Sequence, residues 1–200
     1  RVLLNTEATK EMLEAERYDA LIIAVGSRPL ILTVPGIEKP HVHWAPEADN
    51  GDVKVGDRVV VVGAGSVGIE CAIELKRAGK SVTVVEKAPD LSNLPVSAGG
   101  AVAMELMSLV QELVVPVHFN CSLEEITDTS VVCRDVVSSG KTEFAADTVL
   151  LALGMSARHD IADSLRRCAP ETEVFVVGDA TEPGNIAGAV MSAFKAAARL

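Results

Sequence analysis

The sequence predicts an α/β fold: a parallel sheet with helices against it, joined to a small antiparallel β-meander. Three observations carry this. Apolar residues make up 48% of the 200 residues but aromatics only 3%, so the core is built of Val, Ala, Leu and Ile, as in buried parallel strands and their covering helices. The pure β run Arg58–Val62 leads through Gly63-Ala64-Gly65-Ser66-Val67-Gly68 into helical spacing and then a second strand. Two further apolar runs, one ending at Gly26 and one at Gly154, bracket that block.

The elements follow in order. Val2–Leu4 reads as a short strand, Thr6–Ala15 as a helical turn or two, and Tyr18–Val25 as a buried strand ending at Gly26. Ser27–Pro40 carries Pro29, Pro35, Gly36 and Pro40 and reads as a crossing segment without regular structure. Trp44–Asp52 is an acidic connector with about one helical turn. After Arg58–Val62, Val67, Cys71, Leu75 and Ala78 share one face of a helix that Gly79 closes. Ser81–Val85 is the next strand, Gly100–Leu113 a second amphipathic helix, and Pro116–Phe119 a third strand. Alternating runs at Leu123–Ile126, Ser130–Arg134 and Lys141–Phe144 form the meander. Thr148–Leu153 and Val174–Val177 are the last strands, and Ile186–Leu200 is an Ala-rich helix.

Charge and cysteine usage exclude several classes. A net charge of −10 is the wrong sign for a general nucleic-acid binder. No apolar run approaches the roughly 18 residues of a membrane span, and no signal peptide is read, so a cytoplasmic protein without membrane partners is expected. Cys71, Cys121, Cys133 and Cys168 contain no CxxC pair and read as four reduced, buried thiols. His41, His43, His118 and His159 do not converge with acidic residues at metal spacing. No catalytic acid, base or metal ligand is assigned.

The glycine run carries the chemistry. Strand, GxGxxG, helix and second strand stand in the order that a dinucleotide site requires. Gly63 permits the tight turn, Gly65 lets the backbone approach a pyrophosphate, and Gly68 lets the helix pack close to the strand. The anion then sits on free N–H groups at a helix N-terminus. Glu86 ends the following strand, where a carboxylate accepts from both ribose hydroxyls of adenosine and repels a 2′-phosphate. This favours NAD(H) over NADP(H), although the neighbouring Lys87 works against the preference. Glu70, early in the helix, either complements the helix dipole or lies toward the nicotinamide. Gly178-Asp179 ends an apolar strand before a long helix, where Asp179 either bonds a polyol hydroxyl or caps the helix.

Together, Tyr18–Pro29, Val59–Glu70, Val82–Glu86, Thr148–Gly154 and Val174–Ala180 resemble flavoprotein reductases carrying two dinucleotide folds, one inserted in the other. Within them, the Pro35-Gly36 crossing and Gly178–Ala198 are most similar to the C-terminal region of the NADH:flavin oxidoreductase/2,4-dienoyl-CoA reductase family, to which trimethylamine dehydrogenase is related. The resemblance implies a Rossmann-like three-layer FAD/NAD(P)-binding fold with an inserted NAD(H) domain at 48–153. Residues 1–47 and 154–200 then form the second half of an FAD-type domain. It also implies that Gly63, Ala64, Gly65, Ser66, Val67 and Gly68 hold the NAD pyrophosphate, that Glu86 and Lys87 meet the ribose, and that Glu70 lies toward the nicotinamide. Asp179, after Gly178, is implied to bond the FAD ribityl chain, with Gly26 and Gly154 at the ends of bracketing strands and Ile186 opening a helix toward the flavin ring. In that family FMN, in a (β/α)₈ barrel, and a [4Fe–4S] cluster turn the substrate over. These are expected as partner regions upstream in the same polypeptide, because Arg1 opens directly into strand-like sequence. Association into a homo-oligomer is compatible with this.

Two functions compete: hydride transfer from NADH to FAD, or an adenine-nucleotide (ADP or NAD) binding module with a structural role and no hydride transfer. The chain holds a single phosphate turn, so it is expected to bind FAD weakly or not at all by itself. The missing first FAD strand is expected to leave an unpaired edge between Tyr18–Val25 and Val174–Val177.

Overall fold

The computed structural model describes residues 1–15, 18–91 and 99–200. The chain divides into two compact units, Leu30–Gly154 and Arg1–Pro29 with Met155–Leu200. The fold is α/β, with a parallel sheet and small antiparallel sheets, as the apolar composition predicts.

The central unit is built on a parallel five-stranded sheet in the order β3 (Val42–Trp44), β10 (Thr148–Leu151), β4 (Arg58–Val62), β5 (Ser81–Val85), β6 (Val117–His118). β4 explains why Val59–Val62 contains no polar residue. Val59 and Val61 pack on one side against Ile69, Ala72 and Ile73 of α3 (Ser66–Arg77) and Val110 of α4 (Gly99–Glu112). Val60 and Val62 pack on the other against Leu123, Ile126, Val131 and Cys133 of the meander. With both faces covered, each valine is fully buried, a contribution of about 1.5–3 kcal/mol apiece. The meander comprises β7 (Cys121–Ile126), β8 (Ser130–Asp135) and β9 (Lys141–Ala145).

Several expectations change here. The first division falls after Pro29 rather than residue 47, because β3 ladders onto β10 and carries residues 30–47 into the central unit. The acidic connector begins on the last residue of β3 and contains α2 (Ala45–Asp49), the expected helical turn, whose start is fixed by the Glu47 carboxylate accepting from the Trp44 N–H at 3.0 Å. The buried stripe of α3 runs through Gly68, Ile69, Ala72 and Ile73 as well as Cys71, while Val67 is 45% exposed.

The flanking unit pairs β1 (Ala20–Ile23) with β12 (Glu173–Val176) in parallel, Ala20 opposite Glu173. The expected gap between these two strands is absent, because they hydrogen-bond to each other directly. β2 (Ser27–Pro29), inside the segment Ser27–Pro40 expected to lack regular structure, pairs antiparallel with β11 (Met155–Ala157). Val2–Leu4 forms no strand; Val2 and Leu4 are 81% and 79% exposed, so no apolar face is covered. The unit also contains α1 (Lys10–Ala15), α5 (His159–Arg167), a 3₁₀ turn at Gly178–Ala180 and α6 (Ile186–Ala197). Its core is small: Phe175, Val177 and Ala196, with Ala20 and Ala193 against them. Ile186, Val190, Met191 and Phe194 of α6 remain exposed. Among the described residues no helix is long and apolar enough to cross a membrane.

Candidate functional site

The glycine turn leaves β4 and enters α3 with the geometry its spacing demands. Gly63 has φ +106°, a left-handed value that L side chains rarely adopt, and its N–H donates to the Val85 carbonyl at 2.9 Å. A Cβ at Gly63 would run into the Ala152 carbonyl, and one at Gly68 would run into the Gly63 carbonyl. Those two glycines are demanded by the protein's own packing. Gly65 is different. Its φ is −66°, open to any residue, and a Cβ there meets nothing within 4 Å. Free space therefore lies above Gly65, which is what close approach of a pyrophosphate uses. As the N-cap of α3, Gly65 supplies no side-chain acceptor to the helix's first-turn N–H groups, the arrangement that receives an anion.

Glu86 lies at the end of β5, half-buried. One carboxylate oxygen accepts from the Ala64 N–H at 2.8 Å and the other from the Ala88 N–H at 2.7 Å. The side chain is thus fixed beside the turn, and each oxygen keeps a second lone pair for a further donor. The structure brings Gly63, Ala64, Gly65 and Glu86 together. Ser66, Val67 and Glu70 lie in the first turns of α3, with Glu70 exposed; Lys87 is exposed beyond Glu86.

The second group lies in the flanking unit. Gly26 (φ +72°) lies between β1 and β2, and Gly178 (φ +63°) follows β12. Asp179 accepts from the Ser27 hydroxyl at 3.1 Å and from the Gly184 N–H at 3.2 Å. Gly26, Gly178, Asp179, Asn185, Ile186 and Ala189 line one recess. Asp179 is not the cap of α6: Asn185 is, accepting from the Gly188 N–H at 2.8 Å. Gly154 (φ +87°) closes the central unit and accepts from the Leu30 N–H at 3.0 Å. Sequence reasoning missed Ser27, Asn185 and Ser192, whose hydroxyl oxygen accepts from the Gly178 N–H at 2.7 Å. Asn185 was readable, since Asn directly before an apolar helical run marks an N-cap; the other two pairings are long-range and leave no local trace.

The thiols are less uniform than their spacing implies. Cys71 and Cys133 are buried, and burial pushes both up to about 12. Cys121 and Cys168 are half-buried. Among the described residues no group of three His, Cys, Asp or Glu is placed to hold a metal.

Comparison with known proteins adds the family. Residues 2–197 match the family described as pyridine nucleotide-disulphide oxidoreductase. The chain is 29% identical over 196 residues to cinnamate reductase of Clostridium sporogenes, covering 98% of this chain and 29% of that protein. It is 30% identical to an NADH oxidase of Thermoanaerobacter brockii, covering 95% and 29%. A solved 2-naphthoyl-CoA reductase superposes with a TM-score of 0.79 at 30% identity, covering 96% of this chain and 28% of that one. Thioredoxin reductase of T. acidophilum, at 20% identity and TM-score 0.68, shares the fold, covering 90% and 64%. The chain therefore spans less than a third of the length of the reductases and oxidase it matches at about 30% identity.

Proposed function

The chain belongs to the pyridine nucleotide-disulphide oxidoreductase family, and on that premise we propose that it is the nucleotide-binding region of an NAD(H)-dependent flavin oxidoreductase of the NADH:flavin oxidoreductase/2,4-dienoyl-CoA reductase type. The reading rests on one observation above all: Gly65 is a glycine that the protein's own packing does not require. The turn is shaped for a ligand, and the ligand that fits is a pyrophosphate.

In this reading Gly63–Gly68 and the start of α3 seat the pyrophosphate of NAD(H). Glu86 accepts from the adenosine ribose while the Ala64 and Ala88 N–H groups hold it in place. Asp179, braced by Ser27 and the Gly184 N–H, accepts from the ribityl hydroxyls of FAD, and the Asn185-capped start of α6 faces the flavin ring. When bound, the nicotinamide supplies a hydride and the flavin accepts it; the protein supplies placement and exclusion of water. The FMN barrel and [4Fe–4S] cluster belong to this proposal as parts of a longer polypeptide, with substrate conversion located there.

Calorimetric titration of NADH and NADPH tests the nucleotide assignment. A 2′-phosphate beside the Glu86 carboxylate costs on the order of 1–3 kcal/mol, so NADH is expected to bind roughly one to two decades more tightly. Glu86→Ala is expected to narrow that ratio. Equal affinities in the unaltered protein would remove Glu86 from selectivity.

A further inference from the structure

Cys121 and Cys133 are brought together by the β7–β8 register. Leu123 lies opposite Cys133 and Cys121 opposite Asp135, so the cysteines are diagonal neighbours on one face. Cys133 is fully buried and Cys121 half-buried, so Cys121 is the more exposed member of the pair. β7 is also tied to the strand end that carries Glu86: the Cys121 N–H donates to the Glu86 carbonyl at 2.7 Å. The Glu86 side chain in turn accepts from Ala64 and Ala88.

We propose that Cys121 and Cys133 form a reversible disulfide, and that closing it displaces the Glu86 segment. The Cys121 thiol loses its proton to solvent, and the thiolate attacks one sulfur of a small-molecule disulfide, expelling a thiolate and leaving a mixed disulfide. Cys133 then attacks the Cys121 sulfur, its proton passing to the departing sulfur, which leaves as the second small thiol; the first expelled thiolate takes its proton from solvent. Two protein thiols are oxidised to one disulfide, and one small disulfide is reduced to two thiols. Diagonal partners in an antiparallel ladder stand about 7–8 Å apart at Cα. A disulfide requires roughly 4.4–6.8 Å. Closing the bond therefore draws the Cys121 backbone toward β8 and pulls on its hydrogen bond to Glu86.

The test treats the 200-residue protein with dithiodipyridine, followed by thiol counting, peptide mapping and amide hydrogen exchange. The expected product links Cys121 to Cys133, keeps no pyridyl label on either and reverts with dithiothreitol. Exchange at Ala64 and Ala88 is expected to quicken several-fold in the oxidised form, and not in Cys121→Ser or Cys133→Ala. A stable pyridyl adduct on Cys121, or Cys121 and Cys133 both mapped as free thiols, would overturn the disulfide. Unchanged exchange at Ala64 and Ala88 would overturn the displacement. A several-fold loss of NADH affinity on oxidation is also expected, and it rests on the nucleotide reading above. Absence of NADH binding in the reduced protein would count against that reading alone, since thiol count and amide exchange need no nucleotide.

Discussion

Gly63, Gly65 and Gly68 are indistinguishable by residue type, yet the structure separates them. Gly68 sits where a methyl group would strike the Gly63 carbonyl, and Gly65 where it would strike nothing. Gly68→Ala is therefore expected to destabilise the fold by about 1–3 kcal/mol, the cost of forcing a group into a filled space. Gly65→Ala is expected to change stability by no more than about 0.5 kcal/mol. Urea unfolding of both variants checks this; equal losses would mean that Gly65 is also a packing glycine. The spacing of the three glycines was legible in the sequence. So was the expectation that Gly63 and Gly68 serve the protein's own packing; the Ala152 and Gly63 carbonyls that enforce it were not, because they come from a distant strand end and from the turn's own geometry.

The elements that sequence located best are those buried on two faces. Ser81–Val85 has the bounds its run of apolar residues predicts, and α3 begins at Ser66 as the glycine turn requires. The elements it missed are short or defined by distant partners. β2 and β11 are three-residue pieces that exist only by pairing with each other. α5 escaped although Ile161, Ala162 and Leu165 recur at helical spacing, because the stripe is only those three residues long in a nine-residue helix. Element ends are held by carboxylates. The Asp147 carboxyl, at the start of β10, is held below its ordinary value of 3.8 first by the Arg58 side chain, which opens β4. The Asp135 carboxyl, at the end of β8, is held low first by the Ser138 N–H. A lowered native value means stability that is present above the ordinary carboxylate range and lost as pH falls through the native value. The urea midpoint is therefore expected to fall below about pH 4, and less steeply in Asp147→Asn and Asp135→Asn. An identical acid limb in both variants would show that these contacts do not stabilise the native state.

At the scale of the molecule, the two candidate sites lie in different units and differ in completeness. The central unit holds a phosphate turn and an acid at a strand end, both set in a sheet covered on two faces. The flanking unit holds Asp179 and the start of α6 around a core of a few residues. The order of motifs made the central unit readable, while the place where its compact unit begins, at Leu30, was not. Residues 30–47 carry little periodicity, and distant partners assign them: Val42–Trp44 pairs with β10, Leu32, Val34 and Ile37 pack against the same core as the meander, and the Pro35 carbonyl accepts from the Ile126 N–H at 2.9 Å. FAD needs a phosphate turn of its own, and the single one here is proposed for NAD(H). The purified 200-residue chain, incubated with FAD and desalted, is therefore expected to retain far less than one flavin per chain by its visible spectrum; stoichiometric retention would show that the Asp179 site suffices. The central claim, that a nucleotide pyrophosphate lies on the turn above Gly65, is tested most directly by titrating NADH into Gly65→Val. The account predicts an unfolding midpoint close to that of the unaltered protein together with loss of NADH binding. A folded Gly65→Val that binds NADH with unchanged affinity would contradict it.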